Sequence, residues 1–158
     1  MAGTIVGLSY LWNVVRVQGG AYGVNGRIKS NGEVAISSYR DPTPARTLGA
    51  YRGAANFLRT FVESGEPLDK FIISTISSTE PLVSPRQVGR IADINYFNGI
   101  TWDKLVAERR QMLATTPDKL LQWCELFEKL TEDAAVCVVA HEEALAACKD
   151  ENLTIADL

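Results

Sequence analysis

One arginine and one tyrosine, set on either side of two adjacent glycines, are the residues of this chain whose types and spacing could do chemistry. They are Arg16, Gly19, Gly20 and Tyr22, in the run YLWNVVRVQGGAYG from Tyr10 to Gly23. An arginine offers a fixed fork of donors to a carbonyl oxygen, and a phenolic hydroxyl can donate to an oxygen that gains charge in a reaction. Glycines between them would let a peptide backbone come close without meeting a side chain. From spacing alone the plainer reading is structural, with Arg16 capping the carbonyls of its own helix and Tyr22 a half-buried strand aromatic.

The elements that must position this pair can be read from periodicity. Leu8, Leu11, Trp12 and Val15 recur at helical spacing, so Ile5 to Val17 reads as a helix with one buried face. The glycines fall where a helix C-terminus favours positive φ, and Ala21 to Lys29 then reads as a strand. Glu33 to Tyr39 alternates as its partner, with Asn31-Gly32 marking a hairpin between them. A three-residue loop, Ser30 to Gly32, pairs Ile28 with Val34 and Gly26 with Ile36, which keeps one face apolar; a two-residue loop would mix the faces.

Asp41-Pro42-Thr43-Pro44 breaks the second strand. Thr43 is placed to cap a helix running from Pro44 to about Ser64, with Leu48, Tyr51, Ala55, Leu58 and Val62 as its buried stripe and Gly65 as its end. Further helices are expected over Pro67 to Thr79, Pro85 to about Asn98, Thr101 to Ala114, and from Thr116-Pro117-Asp118 to near Leu130. The run AAVCVVA, Ala134 to Ala140, reads as a central strand buried on both faces, and His141 to Leu158 as a short helix and a loosely held end. The fold class is α+β: a small, mainly antiparallel sheet with helices packed on one face, in a single domain over residues 1–158.

At 158 residues and 46% hydrophobic, the chain is long enough to bury a core. A net charge of -3 with scattered Lys and Arg argues against nucleic acid or an anionic membrane as the main partner. No apolar run approaches membrane-spanning length and no basic leader precedes the first helix, so a cytoplasmic protein is expected. Cys124, Cys137 and Cys148 are odd in number and lack metal-ligand spacing, which points to free thiols. Ser37-Ser38 and Ser77-Ser78-Thr79 have no basic partner arranged for nucleophilic catalysis. Arg109, Arg110, Glu125, Glu128 and Lys129 read as exposed helix charges, and Trp102 and Trp123 as core.

The Tyr10–Gly23 run, together with SSYRDPTPARTLGAY from Ser37 to Tyr51, resembles the C-terminal half of the insulinase-like (pitrilysin) zinc metallopeptidases, most closely the presequence-protease branch. The likeness weakens after about Ser78. It implies a truncated domain of that family, since the chain opens inside the helix before the hairpin. Such a C-terminal fragment of a longer protease would have an incomplete sheet. Self-association as a homodimer through Ile5, Leu8 and Leu11 is then expected.

The resemblance also brings a zinc requirement that this chain does not meet. The family's H-x-x-E-H motif supplies two imidazoles and a general base, whereas this chain has one histidine, His141, in His141-Glu142-Glu143. No catalytic residue, no metal ligand and no cofactor is therefore assigned to it; zinc would belong to the N-terminal half of the parent enzyme. What the resemblance implies instead is substrate contact: Arg16, Gly19, Gly20 and Tyr22 would face the zinc site across a closed chamber and hold the scissile region of a peptide. The expected partners are the N-terminal half of the peptidase and short peptides. The alternative is a non-catalytic interaction module of the same fold.

Overall fold

Val6, Leu11 and Val15 stand five and then four positions apart and are all buried, a spacing that suits a helix hydrogen-bonded to the fifth residue back. The computed structural model, which describes residues 1–28, 33–148 and 153–154, has such a helix. A short α1, Ala2–Ile5, continues as a π-helical segment, Val6–Val17, and Gln18 N–H donates to the Asn13 carbonyl at 2.9 Å. The wider turn corrects the expected stripe. Ile5, Val6, Leu11 and Val15 face the core, whereas Leu8 and Trp12 are exposed. Of the three residues expected at a dimer contact, Ile5 and Leu11 are thus taken up by the chain's own core.

Strands β1, Gly23–Ile28, and β2, Val34–Tyr39, form a two-stranded antiparallel sheet. Its register pairs Gly26 with Ile36 and Ile28 with Val34, as the apolar pattern requires. The residues of the expected loop, Ser30 to Gly32, lie outside the described ones. The π-helical segment packs on β1 and α2, Pro44–Arg52, packs on β2, which makes the architecture α+β.

The single helix expected from Pro44 to Ser64 is two, α2 and α3, Ala54–Glu63, joined at Gly53. Tyr10 explains the glycine at the joint: its ring stacks on Phe57 at 4.8 Å between centroids, and its hydroxyl occupies the space a Cβ at Gly53 would need. The break also shifts the buried stripe to Thr47, Ala50, Ala54, Ala55, Leu58 and Phe61. Gly65, at φ +69°, ends α3.

By its contacts the chain divides into two units: Ala2–Glu66 with the chain from Asp118 on, and Pro67–Pro117 with Met1. The second unit holds α4, Asp69–Thr79, α5, Pro85–Phe97, and α6, Trp102–Leu113. A reciprocal Ser84/Gln87 box starts α5, and the Thr101 hydroxyl accepts from Lys104 N–H at 3.3 Å to start α6. Here α4 packs against α6 and buries Phe71 and Thr75, while α5 and α6 contribute no buried residue. Trp102, expected in the core, is 76% exposed.

In the first unit, α7, Pro117–Glu132, buries Leu120, Cys124 and Phe127, leaving Trp123 at the surface instead of in the core. Arg59 and Glu128 pair at 2.9 Å near the surface. The run Ala134 to Ala140 is not a strand and is not buried: Val139 is 76% exposed. An apolar run becomes a strand only where another strand offers it a ladder edge, and no described strand pairs with this one. After it comes α8, Glu142–Ala146.

Candidate functional site

The corner between the π-helical segment and β1 is closed by backbone bonds that only glycines allow. Gly20 takes φ +80° and its N–H donates to the Arg16 carbonyl at 3.0 Å, while Ala21 N–H reaches back to the Val15 carbonyl at 3.2 Å. A Cβ on Gly19 would stand 2.5 Å from the Val15 carbonyl oxygen, so that position excludes any side chain. Tyr22 N–H then bonds to the carbonyls of Tyr39 and Arg40 at 3.1 and 3.2 Å, which ties the corner to the end of the hairpin.

The Asp-Pro-Thr-Pro turn braces the glycines from the other side. Thr43, expected to cap α2 with its side chain, makes no such bond; its hydroxyl donates to the Gly19 carbonyl at 3.4 Å, and its N–H donates to Asp41 Oδ1 at 2.9 Å. Arg46 donates to the Gln18 carbonyl at 3.3 Å, and Pro42 lies against Gly20.

Arg16 does not cap its own helix. Its Nε donates to the Tyr22 carbonyl at 3.0 Å, and its guanidinium lies 4.0 Å from the centre of the Trp12 ring. Tyr22 is 66% exposed and meets Tyr39 edge to face at 6.0 Å. Arg40 lies over both rings, 5.7 Å from Tyr22 and 5.4 Å from Tyr39, and adopts φ +48°. That is the left-handed region that few arginines enter. The structure thus brings together Arg16, Gly19, Gly20 and Tyr22, and adds Trp12, Tyr39 and Arg40. Sequence reasoning missed Tyr39 and Arg40, although the Tyr-Arg-Asp-Pro run directly after a strand was the signal available. Among the described residues, neither the Tyr22 hydroxyl nor the two terminal amino groups of Arg16 has a hydrogen-bond partner.

Among the described residues no three of His, Cys, Asp and Glu come together as a metal-holding group. His141 is exposed, precedes α8 and lies 3.8 Å from the Glu143 carboxylate. The hydroxyls of Ser78 and Thr79 donate back to carbonyls of their own helix, at 2.7 and 2.8 Å.

The profile described as the PreP C-terminal domain matches residues 2–142. The chain belongs to that family. The match places it in the C-terminal segment of the insulinase-like presequence proteases, as the Arg16–Tyr22 and Arg40-Asp41-Pro42 runs imply. It is 34% identical over 147 residues to Protein HypA of Clostridium perfringens, across 93% of this chain and 15% of that protein. It is 30% identical to the chloroplastic and mitochondrial Presequence protease 1 of Arabidopsis thaliana, across 91% of this chain and 13% of the relative. Against the mitochondrial presequence protease of Danio rerio it is 31% identical, across 75% of this chain and 11% of the relative. PreP-family relatives are therefore several times longer than the part this chain matches. No helix among the described residues is long and apolar enough to cross a membrane.

Proposed function

We propose that this chain is the non-catalytic, substrate-contacting segment of a zinc metalloendopeptidase that degrades short unstructured peptides. One observation carries the reading. Among the described residues the Tyr22 hydroxyl and the terminal amino groups of Arg16 have no hydrogen-bond partner, beside a corner that two glycines keep clear of side chains. In this role Arg16 holds a substrate carbonyl, and Tyr22 donates to an oxygen as it gains charge. Zinc and the general base come from the N-terminal half of the enzyme; the residues of this chain do not fit a catalytic zinc site, because its single histidine has no second imidazole to work with. The cytoplasm is proposed as the compartment, since a reducing environment suits three free cysteines.

A second reading has its own support. The Nε bond to the Tyr22 carbonyl and the stacking on Trp12 would also serve a purely structural arginine in an interaction module. Kinetics of the full-length enzyme separate the two. Tyr22→Phe is expected to lower kcat more than it raises KM, by about 2 to 4 kcal/mol of transition-state stabilisation. Arg16→Ala should impair both. Unchanged kinetics in folded variants would assign the pair to structure alone.

A further inference from the structure

The backbone of Tyr22 is tied on both sides. Its N–H donates to the carbonyls of Tyr39 and Arg40 at 3.1 and 3.2 Å, and its carbonyl accepts from Arg16 Nε at 3.0 Å. The ring is not held by burial, since 66% of the residue is exposed. An exposed tyrosine ring ordinarily moves among staggered rotamers within nanoseconds, which would sweep its hydroxyl through a wide arc. Two contacts oppose that motion here: the Tyr39 ring, edge to face at 6.0 Å, and the Arg40 guanidinium at 5.7 Å from the ring centre.

Arg40 makes its contacts from a backbone conformation that costs it energy. Among the described residues it alone, apart from glycines, takes a positive φ, at +48°. Tyr39 is the last residue of β2, and in an extended strand the next side chain would leave on the opposite face. The left-handed turn takes Arg40 out of that alternation, and its guanidinium lies over the rings of both Tyr22 and Tyr39, at 5.7 and 5.4 Å. Among the described residues no hydrogen bond or ion pair engages that guanidinium. Glycine would meet the turn at lower cost. A side chain kept at a strained position, with two rings as its partners, points to a role in holding those rings.

We propose that Arg40 is a positioning residue for Tyr22. Its guanidinium and the Tyr39 ring close a clamp on the exposed Tyr22 ring, so that the phenolic hydroxyl already has one orientation when a substrate oxygen arrives. This rests on the reading above that Tyr22 contacts substrate. Ordering a free side chain during the reaction would subtract from the stabilisation its hydroxyl can give, and a ring ordered beforehand avoids that cost. Arg40 does not touch the reacting atoms in this role, which separates it from Arg16. Loss of Arg40 therefore lowers turnover and leaves substrate binding nearly untouched.

Arg40→Gly tests the clamp in the full-length enzyme, because glycine keeps the left-handed turn and removes only the side chain. With an internally quenched, unstructured peptide as substrate, kcat should fall about tenfold or more while KM changes little. Arg40→Asn, which also tolerates the turn, should repeat the loss, and Arg40→Lys should recover part of it. In a Tyr22→Phe background the same Arg40→Gly change should add almost nothing, since both act through one hydroxyl. A 3-fluorotyrosine label incorporated in place of Tyr22 reports the ring directly by fluorine NMR. Its resonance should stand apart from that of the urea-unfolded protein and move most of the way towards it in Arg40→Gly. An unmoved resonance would overturn the clamp. So would an unchanged kcat in folded Arg40→Gly and Arg40→Asn enzymes where Tyr22→Phe slows turnover, a result that leaves the substrate role of Tyr22 standing. An equal loss in the Tyr22→Phe background would make Arg40 a substrate contact in its own right and reject the positioning role. A Tyr22→Phe enzyme with unchanged kinetics, and a label that still responds to Arg40→Gly, would instead refute the reading above and leave the clamp on the ring intact.

Discussion

The Nε of Arg16 donates to the carbonyl oxygen of Tyr22 across 3.0 Å, spanning the glycine corner between them. The bond fixes the guanidinium while its two terminal amino groups stay outside the corner, and the Trp12 ring supports it from below at 4.0 Å. Arg16→Ala removes both supports and is expected to cost about 1 to 2 kcal/mol of stability, the sum of one hydrogen bond and one exposed cation–π contact. Arg16→Lys keeps the charge but cannot reproduce the planar fork, so it should recover little. Trp12→Ala should lose only the stacking share. Urea unfolding of the three variants measures this, and an Arg16→Ala protein as stable as the parent would show that the corner holds itself.

The two glycines should differ in a defined order. Gly20→Ala places a Cβ on a residue at φ +80°, at a cost of about 1 to 2 kcal/mol. Gly19→Ala drives a Cβ to 2.5 Å from the Val15 carbonyl oxygen, where backbone meets backbone and neither rotates away. The second substitution is therefore expected to be the more damaging. Thermal unfolding ranks them, and a milder Gly19→Ala would mean that the helix end yields easily.

Tyr51 carries a pH dependence with a definite sign. Burial pushes its phenol up from the ordinary value near 10; the Ser38 side chain draws it back and the Asp41 carboxylate pushes it further. As pH rises past that ordinary value, the unfolded chain gives up the proton first and the folded chain retains it, so stability falls until the folded pKa is passed. Tyr51→Phe should flatten this alkaline loss without abolishing it, since burial raises Tyr10 as well. Chemical unfolding at neutral and alkaline pH checks this; equal slopes in parent and variant would count against Tyr51.

The hairpin register was legible because only one pairing puts Gly26, Ile28, Val34 and Ile36 on a common face. Helix ends at Gly20 and Gly65 were legible because the chain needs positive φ there. Other features depend on residues far away in sequence. Tyr10 requires a glycine at position 53, and Thr43 gives up its cap for the Gly19 carbonyl. Both contacts join segments that no local pattern connects. The Ala134–Ala140 run has strand composition, yet composition does not say whether an edge is available to pair with it. At the candidate site, Arg16 and Tyr22 stood out by type and spacing, whereas Arg40 reached them only because β2 ends beside β1.

The π-helical segment sets the direction of Arg16. Along a helix, each residue's bearing accumulates from the turns before it, and Arg16 at the corner stands ten positions after Val6, anchored in the core. Rewinding this stretch to ordinary α-helix would rotate the arginine around the axis while Val6 stayed in place. The guanidinium would then point away from Trp12 and from the Tyr22 carbonyl. Insertions or deletions between these two anchors therefore act as a change of aim, even where every apolar residue still finds cover.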